Sequence, residues 1–461
     1  VSASNRKHMF KYPINVAEFD LVMQTTKSDT HNSRSCLEEG SCLPLGGYSV
    51  WSSLPPINVS SSLPKKPIIL AIAAMDSMSF FRDKTLGADS PLSGLIALLT
   101  AVDALSHVDG TNEWAKQLVF LVVTGESWGY LGSRRFLAEL NSGADSVNGL
   151  SSELIDQVVE VGSVGKAMVK GVPTFFAHDQ QDSDSSQAIL KALEQAAESF
   201  RPKSIKVKKA STSNPGIPPS SLMSFLNKDP SMPGIVLEDF NTTFRNEFYH
   251  SQLDDLSNIN STSIAAAASV VSRALYILAN NESGSDIIMQ SINANESLVD
   301  ELLKCLLCCE PGLSCRLVND LITPTQVCPN HYVGVLLGAP SSSPYPDYID
   351  DTSRFVWNFL ADRTSVPRDD SLPCSQDCKN SSEVCVGSRA DHKGVCMIST
   401  TRYVPAYSTR LIYESDSWKV IPAQSNDVMG KVDPVWTESF WKTLGIRVYM
   451  QQSTFFDELI L

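Results

Sequence analysis

Two short apolar runs without polar alternation most constrain what this chain can fold into. Ile68 to Ala74 reads Ile-Ile-Leu-Ala-Ile-Ala-Ala, and Leu118 to Thr124 is a second run of the same kind. A strand that is apolar on both faces needs cover on both faces, which an antiparallel sheet with one wet face does not provide. Between them, Pro91 to His107 carries Leu92, Leu95, Ile96, Leu99, Val102 and Leu105 at helical spacing, with Pro91 suited to the first turn. The alternation continues. Ser133 to Leu140 predicts a helix, Val158 to Val161 a third strand and Thr174 to Ala177 a fourth. Ser185 to Phe200 is amphipathic, Gly234 to Asp239 is another buried strand, and Ile264 to Ala279 is an Ala-rich helix. Strands alternating with helices predict an α/β fold, a doubly wound mixed sheet with helices on both faces.

After Asn281 the character changes. Cysteines, prolines and the run Ser341-Ser342-Ser343-Pro344 mark a loop-rich, Cys-rich insertion to about residue 400. The chain holds 11 cysteines: Cys36 and Cys42, then Cys305, Cys308, Cys309, Cys315 and Cys328, then Cys374, Cys378, Cys385 and Cys396. Cys305-x-x-Cys308 is compatible with zinc or redox chemistry. Disulfide staples are the reading preferred here, with Cys36 and Cys42 expected to form one. The odd total leaves one cysteine free or paired elsewhere. Asn58, Asn241, Asn260, Asn281, Asn295 and Asn380 each begin an Asn-x-Ser/Thr glycosylation signal. Together with the cysteines they indicate a lumenal or extracellular glycoprotein.

A net charge of −14 argues against a nucleic-acid partner, since phosphate binding needs a basic face. Only Ile205 to Lys209 is locally basic, and it reads as a solvated strand or loop edge. No apolar run reaches the roughly 18 residues that span a bilayer. Val1 to Asn5 has neither a signal-peptide pattern nor an initiating Met, so a piece of a longer chain is expected. Phe455 to Leu461 turns apolar, as a core strand or as the approach to a membrane helix.

Functional groups of open α/β sheets gather at the carboxyl ends of the strands. Those ends supply Asp76, Asp89, Ser90, Glu126, Val159 and Glu160, and Tyr249-His250 follows later. This set resembles the zinc aminopeptidase superfamily. Active members use a His-x-Asp after the first strand, a bridging Asp in a Gly-x-x-Asp-x-x-Ser-Gly loop, and a Glu-Glu pair before a Gly-x-x-Gly-Ser turn. A further acid ends the next strand, and a late Tyr-His supplies the last ligand. Laid on that pattern, Ala74 replaces the His, Ser90 the bridging Asp, Ser127 the second Glu and Val159 the strand acid, with Glu160 adjacent. His250 alone survives of the five ligands. Neutral side chains cannot offset two zinc ions, so the resemblance implies no metal, no cofactor and no peptidase activity.

Within that superfamily six segments in order resemble the nicastrin family. They are Val50 to Asn58, Asp76 to Phe81, Gly125-Glu126 with Tyr130-Leu131-Gly132-Ser133, Pro218 to Leu222, Tyr249-His250-Ser251 and Trp436 to Trp441. The family's Asp-Tyr-Ile-Gly-Ser appears here with Gly129 for the leading Asp, and the late cysteine pattern suggests a divergent, plant-like member. The resemblance implies an aminopeptidase-like lobe at 1–290, lacking a preceding small lobe. It further implies the Cys-rich insertion at 291–400, and a segment at 401–461 that completes the lobe and leads to a transmembrane helix. It implies a non-catalytic, single-pass type I subunit of γ-secretase in the endoplasmic reticulum, Golgi, endosomal or plasma membrane. Its partners would be presenilin and two smaller membrane subunits, and it would screen type I membrane protein substrates by ectodomain size. An active zinc peptidase with displaced ligands (Asp89, Glu126, Glu160, His250) and a free-standing receptor or adhesion ectodomain are the competing readings. Glu126 binds a substrate amino terminus or is an inherited acid held by backbone amides. Tyr130 is a contact or a packed aromatic. His250 is a hydrogen-bonded remnant or a ligand. Trp436, Phe440 and Trp441 are a juxtamembrane cluster or core.

Overall fold

The two apolar runs lie side by side in the middle of a nine-stranded sheet. The computed structural model describes residues 15–20, 43–59, 65–80, 82–180, 186–200, 204–213, 216–281, 284–341, 346–367, 373–374, 378, 382–387, 394–422, 437–438 and 445–450. The sheet strands are β1 (Gly47–Leu54), β2 (Ile68–Ala74), β3 (Gln117–Val123), β4 (Ile155–Val161), β5 (Met168–Val169), β6 (Val172–His178), β7 (Lys206–Lys209), β8 (Gly234–Glu238) and β9 (Arg402–Ala406). Their order is β9-β1-β3-β2-β4-β8-β6-β5, with β7 paired to β6. The central run β3-β2-β4-β8 is parallel, and antiparallel strands flank it on each side.

Side-chain alternation divides each central strand between two layers. Ile69, Ala71 and Ala73 of β2, with Leu118, Phe120 and Val122 of β3, face one core. Helices α1 (Gly94–Ser106), α3 (Gln187–Glu198) and α5 (Ser261–Ala279) cover it. Ile68, Leu70 and Ile72, with Val119, Leu121 and Val123, face the other. That side is covered by α2 (Leu131–Ser142) and α4 (Leu222–Lys228). The mixed, doubly covered sheet is the architecture the sequence predicts. The segment Ala88–Ser106 and α5 are long and apolar enough to cross a membrane, yet both are mostly buried in the core.

The first helix begins later than its spacing predicts. Ala88–Ser93 is an irregular turn with Ser90 extended (φ −127°, ψ 111°), as suits a residue before proline. Regular helix starts at Gly94, where a Cβ would meet the Gly162 and Val161 carbonyl oxygens at 2.3 Å. Only glycine lets α1 start this close to the end of β4.

Packing does not follow the boundary drawn at residue 291. The remaining helices are α6 (Asp286–Ser291), α7 (Glu296–Leu307), α8 (Arg316–Leu321) and α9 (Asp351–Thr364). Leu302 and Leu306 of α7, with Phe355 and Phe359 of α9, join the same core as α1 and α5. Their apolar stripes find cover there because α1 and α5 are buried almost all round. A separate piece is the small three-stranded sheet of Pro373–Cys374, Glu383–Val386 and Gly394–Ile398.

Disulfides join Cys305 to Cys315, Cys309 to Cys328, Cys374 to Cys385 and Cys378 to Cys396. Cys305 is therefore stapled rather than paired with Cys308, which is the free cysteine among the described residues. After Cys328, residues 330–336 cross back over the loop that follows β2 and the residues that precede β1. Ser77 N donates to His331 O at 2.7 Å, His331 N to Thr85 O at 2.8 Å and Gly46 N to Gly334 O at 2.9 Å. Tyr332 stands edge-to-face with Trp128, ring centres 5.7 Å apart. Asn58, Asn260, Asn281 and Asn295 are exposed and Asn241 is half-buried. Asn260 and Asn295 also cap α5 and α7 through their side-chain oxygens, which leaves the amide nitrogen, the atom a glycan uses, out of the cap. Cys36, Cys42, Asn380, Trp436, Phe440 and Trp441 lie outside the described residues.

Phe120 is completely buried between the sheet and its helices. Phe120→Ala should cost about 3–5 kcal/mol of stability. Urea denaturation should show a lower midpoint with an unchanged slope.

Candidate functional site

The carboxyl ends of β2, β3, β4 and β8 stand next to one another, and their last residues enclose a cavity of about 90 Å³. Four acids reach it: Asp76 beyond β2, Glu126 beyond β3, Glu160 on β4 and Glu238 at the end of β8. Tyr130, Tyr249 and His250 complete the wall.

Each acid is held by backbone amides. Asp76 Oδ1 accepts from Glu126 N at 2.8 Å and Oδ2 from Ser127 N at 3.1 Å, so this carboxylate fixes the Glu126 turn. Glu126 accepts from Ser133 N at 2.8 Å and Ser133 Oγ at 2.9 Å, in the first turns of α2. Glu160 takes the Ser221 and Leu222 amides at 2.9 and 2.7 Å, where α4 begins. Glu238 Oε2 takes the Ser163 amide at 2.7 Å. Hydrogen bonds and helix starts favour the ionised form, but burial outweighs them. It raises Asp76 to about 6 and Glu160 to about 7. Burial, with the Asp76 charge adding to it, raises Glu126 to about 8. Glu238 is pushed well above the carboxylate range by burial and then by Asp239. Tyr130 is half-buried, and burial followed by the Glu126 charge lifts its phenol to about 12.

His250 sits at φ 55° with its ring stacked on Tyr249, centres 3.7 Å apart, and burial lowers its pKa. Ala74, Ser90, Ser127 and His250 all line the cavity. Val159 does not belong with them. Strand alternation turns it into the helix-covered core and turns Glu160 toward the cavity. Asp89 is also elsewhere. Its Oδ1 accepts from Gly165 N at 3.2 Å, and it clusters with Asp239 and Asp254. A ligand set of Asp89, Glu126, Glu160 and His250 is thus not assembled at one place. Sequence reasoning overlooked Glu238, although its place at the end of a buried strand is the signal that found Glu126.

A zinc pair does not fit these residues. Three of the expected donor positions are Ala or Ser, and the surviving acids spend oxygens on amides. Among the described residues, the group of three donors lying within 4.8 Å of one another is Cys374, Cys378 and Cys396, all already in disulfides.

A family profile described as "Nicastrin large lobe" matches residues 67–276, which include every cavity residue named above. Nicastrin of Arabidopsis thaliana is 58% identical over 453 residues, covering 98% of this chain and 67% of its own length. The chain belongs to the nicastrin family. Nicastrin of Dictyostelium discoideum is 27% identical, with 95% of this chain and 67% of the relative covered. A crystal structure titled as the gamma-secretase component nicastrin superposes with a TM-score of 0.73 at 25% identity, covering 98% of this chain and 75% of that one. The chain spans about two thirds of these curated nicastrins, and its fold is the nicastrin fold.

An acid whose pKa is raised by folding favours the folded state below its unfolded pKa, and that contribution is lost as pH rises through the folded value. Glu126 loses its share between its ordinary 4.5 and about 8. In that window one retained proton is worth about 1.4 kcal/mol per pH unit. Thermal melts from about pH 5 to 8 should therefore show stability falling with pH. Glu126→Gln should flatten the fall, and an unchanged slope would contradict a neutral Glu126.

Proposed function

We propose that this chain is the lumenal ectodomain of a γ-secretase subunit, a pseudoenzyme on a zinc aminopeptidase-like scaffold. It supports assembly with presenilin, which performs the intramembrane cleavage, and with the two smaller membrane subunits. Its bulk stands over the substrate entrance and disfavours type I membrane protein substrates with long ectodomains, which is selection by exclusion rather than by attraction. The carrying observation is the cavity itself. It keeps the frame of a hydrolase, with Ala74, Ser90 and Ser127 where charged ligands would stand and acids bound to their own backbone. The crystal structure described above is titled as a γ-secretase component, which supports the assignment of partners. Four described disulfides and exposed glycosylation signals favour an oxidising lumenal compartment, as for a single-pass type I protein of the secretory and endosomal membranes.

Glu126 and Tyr130 are the groups through which the cavity would meet the amino terminus of a shortened substrate. The Glu126 carboxyl is tied to Ser133, so its first duty is to hold the turn before α2. The two duties separate experimentally. Full-length Glu126→Gln protein should assemble normally with presenilin after gentle detergent extraction and shift the relative cleavage of short and long ectodomain substrates. Failed assembly would make Glu126 a maturation residue. Metal analysis of the purified ectodomain should find only trace zinc, and two tightly bound zinc ions per chain would overturn the pseudoenzyme reading.

A further inference from the structure

Beside the acidic cavity lies a second pocket of about 380 Å³, and the two share Ser90, Ser163, Pro219, Glu238 and Tyr249. Its walls are aromatic. Phe240 and Phe244 stand nearly perpendicular, ring centres 5.3 Å apart, and Phe244 and Tyr249 repeat the arrangement at 5.2 Å. The His178 ring lies 5.0 Å from Phe240, and its Nε2 meets the Phe240 carbonyl oxygen at 2.9 Å. Burial holds that imidazole below its ordinary pKa, so it is a fourth, uncharged ring near neutrality. Phe244 is 37% and Tyr249 44% exposed, which opens the box to solvent.

Glu238 closes the inner end. Its Oε2 is committed to the Ser163 amide, so Oε1 is the oxygen with which it can receive a ligand. A Cβ on residue 162 would come within 2.2 Å of that Oε1, so glycine at 162 is what gives the carboxyl its place. Among the described residues, no Lys or Arg lines the pocket to answer Glu238.

We propose that this pocket recognises an N–H-bearing organic cation on a flexible stem, namely a lysine side chain of an extended polypeptide. Ring faces attract a cation through their quadrupoles. The aliphatic stem packs on Ile217 and Pro218, which line the same pocket. The ammonium donates to Glu238 Oε1, a charge-assisted hydrogen bond that a quaternary ammonium cannot form. A neutral guest brings no positive charge to offset ionisation of the buried carboxyl or to interact with the ring faces. An anion meets Glu238 and the acids of the adjoining cavity.

Proton linkage gives the site a signature. Burial, and then Asp239, against the Ser163 hydrogen bond and with Glu160 and Asp89 adding to it, push the empty Glu238 toward its protonated form, while Tyr249 and His178 line the same pocket. Docking an ammonium expels that proton, so affinity rises with pH. The inference does not depend on Glu126 touching a substrate, and its test leaves Glu126 intact.

The experiment titrates n-butylammonium chloride, a mimic of the lysine side chain, into the whole chain at fixed ionic strength, against 1-butanol as the neutral counterpart. Calorimetry and saturation-transfer NMR should show saturable butylammonium binding about tenfold or more tighter than 1-butanol. Affinity should increase from about pH 5.5 to 8. Phe244→Leu and Glu238→Gln should each weaken it about fivefold or more, while Tyr249→Phe, which keeps the ring, should not. Thermal melts identify folded variants, and the half-exposed Phe244 serves if Glu238→Gln unfolds. Equal binding of 1-butanol, no saturation by the folded protein, or full affinity in both weakening variants overturns the proposal.

Discussion

The central strands can exist only because both of their faces are covered. β2 carries no polar side chain, so water is excluded from its flanks and every amide must find its partner in the sheet. Polar groups are thereby driven to the strand ends, where the ladder stops and helix starts offer unpaired amides. That constraint explains why Asp76, Glu126, Glu160 and Glu238 meet in one small space, and why each is answered by main-chain N–H groups rather than by Lys or Arg. Taking a carboxylate out of water costs several kcal/mol, whereas a hydrogen bond to a charged group returns about 1.5–3. Burial wins, and Glu126, with a pKa of about 8, holds its proton near neutrality.

Much of this was legible in the chain. The apolar runs, the helices between them and the cysteine groups all follow from local chemistry, and the positions picked out by the family resemblance, Ala74, Ser90, Ser127 and His250, line one cavity. What escaped local reading was set at long range. Val159 and Glu160 differ only in the face their strand presents, and a slip of one residue exchanges wall for core. The boundary at residue 291 followed the cysteines, but α7 and α9 bury their apolar stripes on α1 and α5, which no local pattern reveals. Gly47–Leu54 contains Ser49, Ser52 and Ser53, all buried, and so does not read as an interior strand. Ser52 is satisfied by Thr364 and Thr401, more than 300 residues away.

Two acidic groupings sit back to back without merging. The buried cavity acids line the pocket at the strand ends, while Asp89 and Asp239 take amides of the Ser163–Lys166 turn and Asp254 takes the Asp89 amide. The turn donates Ser163 N to Glu238 on one side, and Gly165 N and Lys166 N to Asp89 and Asp239 on the other. Four residues of backbone thus set the spacing of both groupings. Such placement is rigid because main-chain amides, unlike long basic side chains, have no rotamers to lose.

The strap at residues 330–336 gives the cavity a chronology. Its hydrogen bonds to Ser77 and Thr85 and its Tyr332 ring on Trp128 brace the loops that carry Asp76 and Glu126. On a ribosome those loops emerge some 200 residues before the strap. A nascent chain therefore carries strands β1 to β8 with an unbraced cavity until the strap, and after it β9, has emerged. The cavity's loops thus depend on contacts made from a part of the chain that is synthesised long after them.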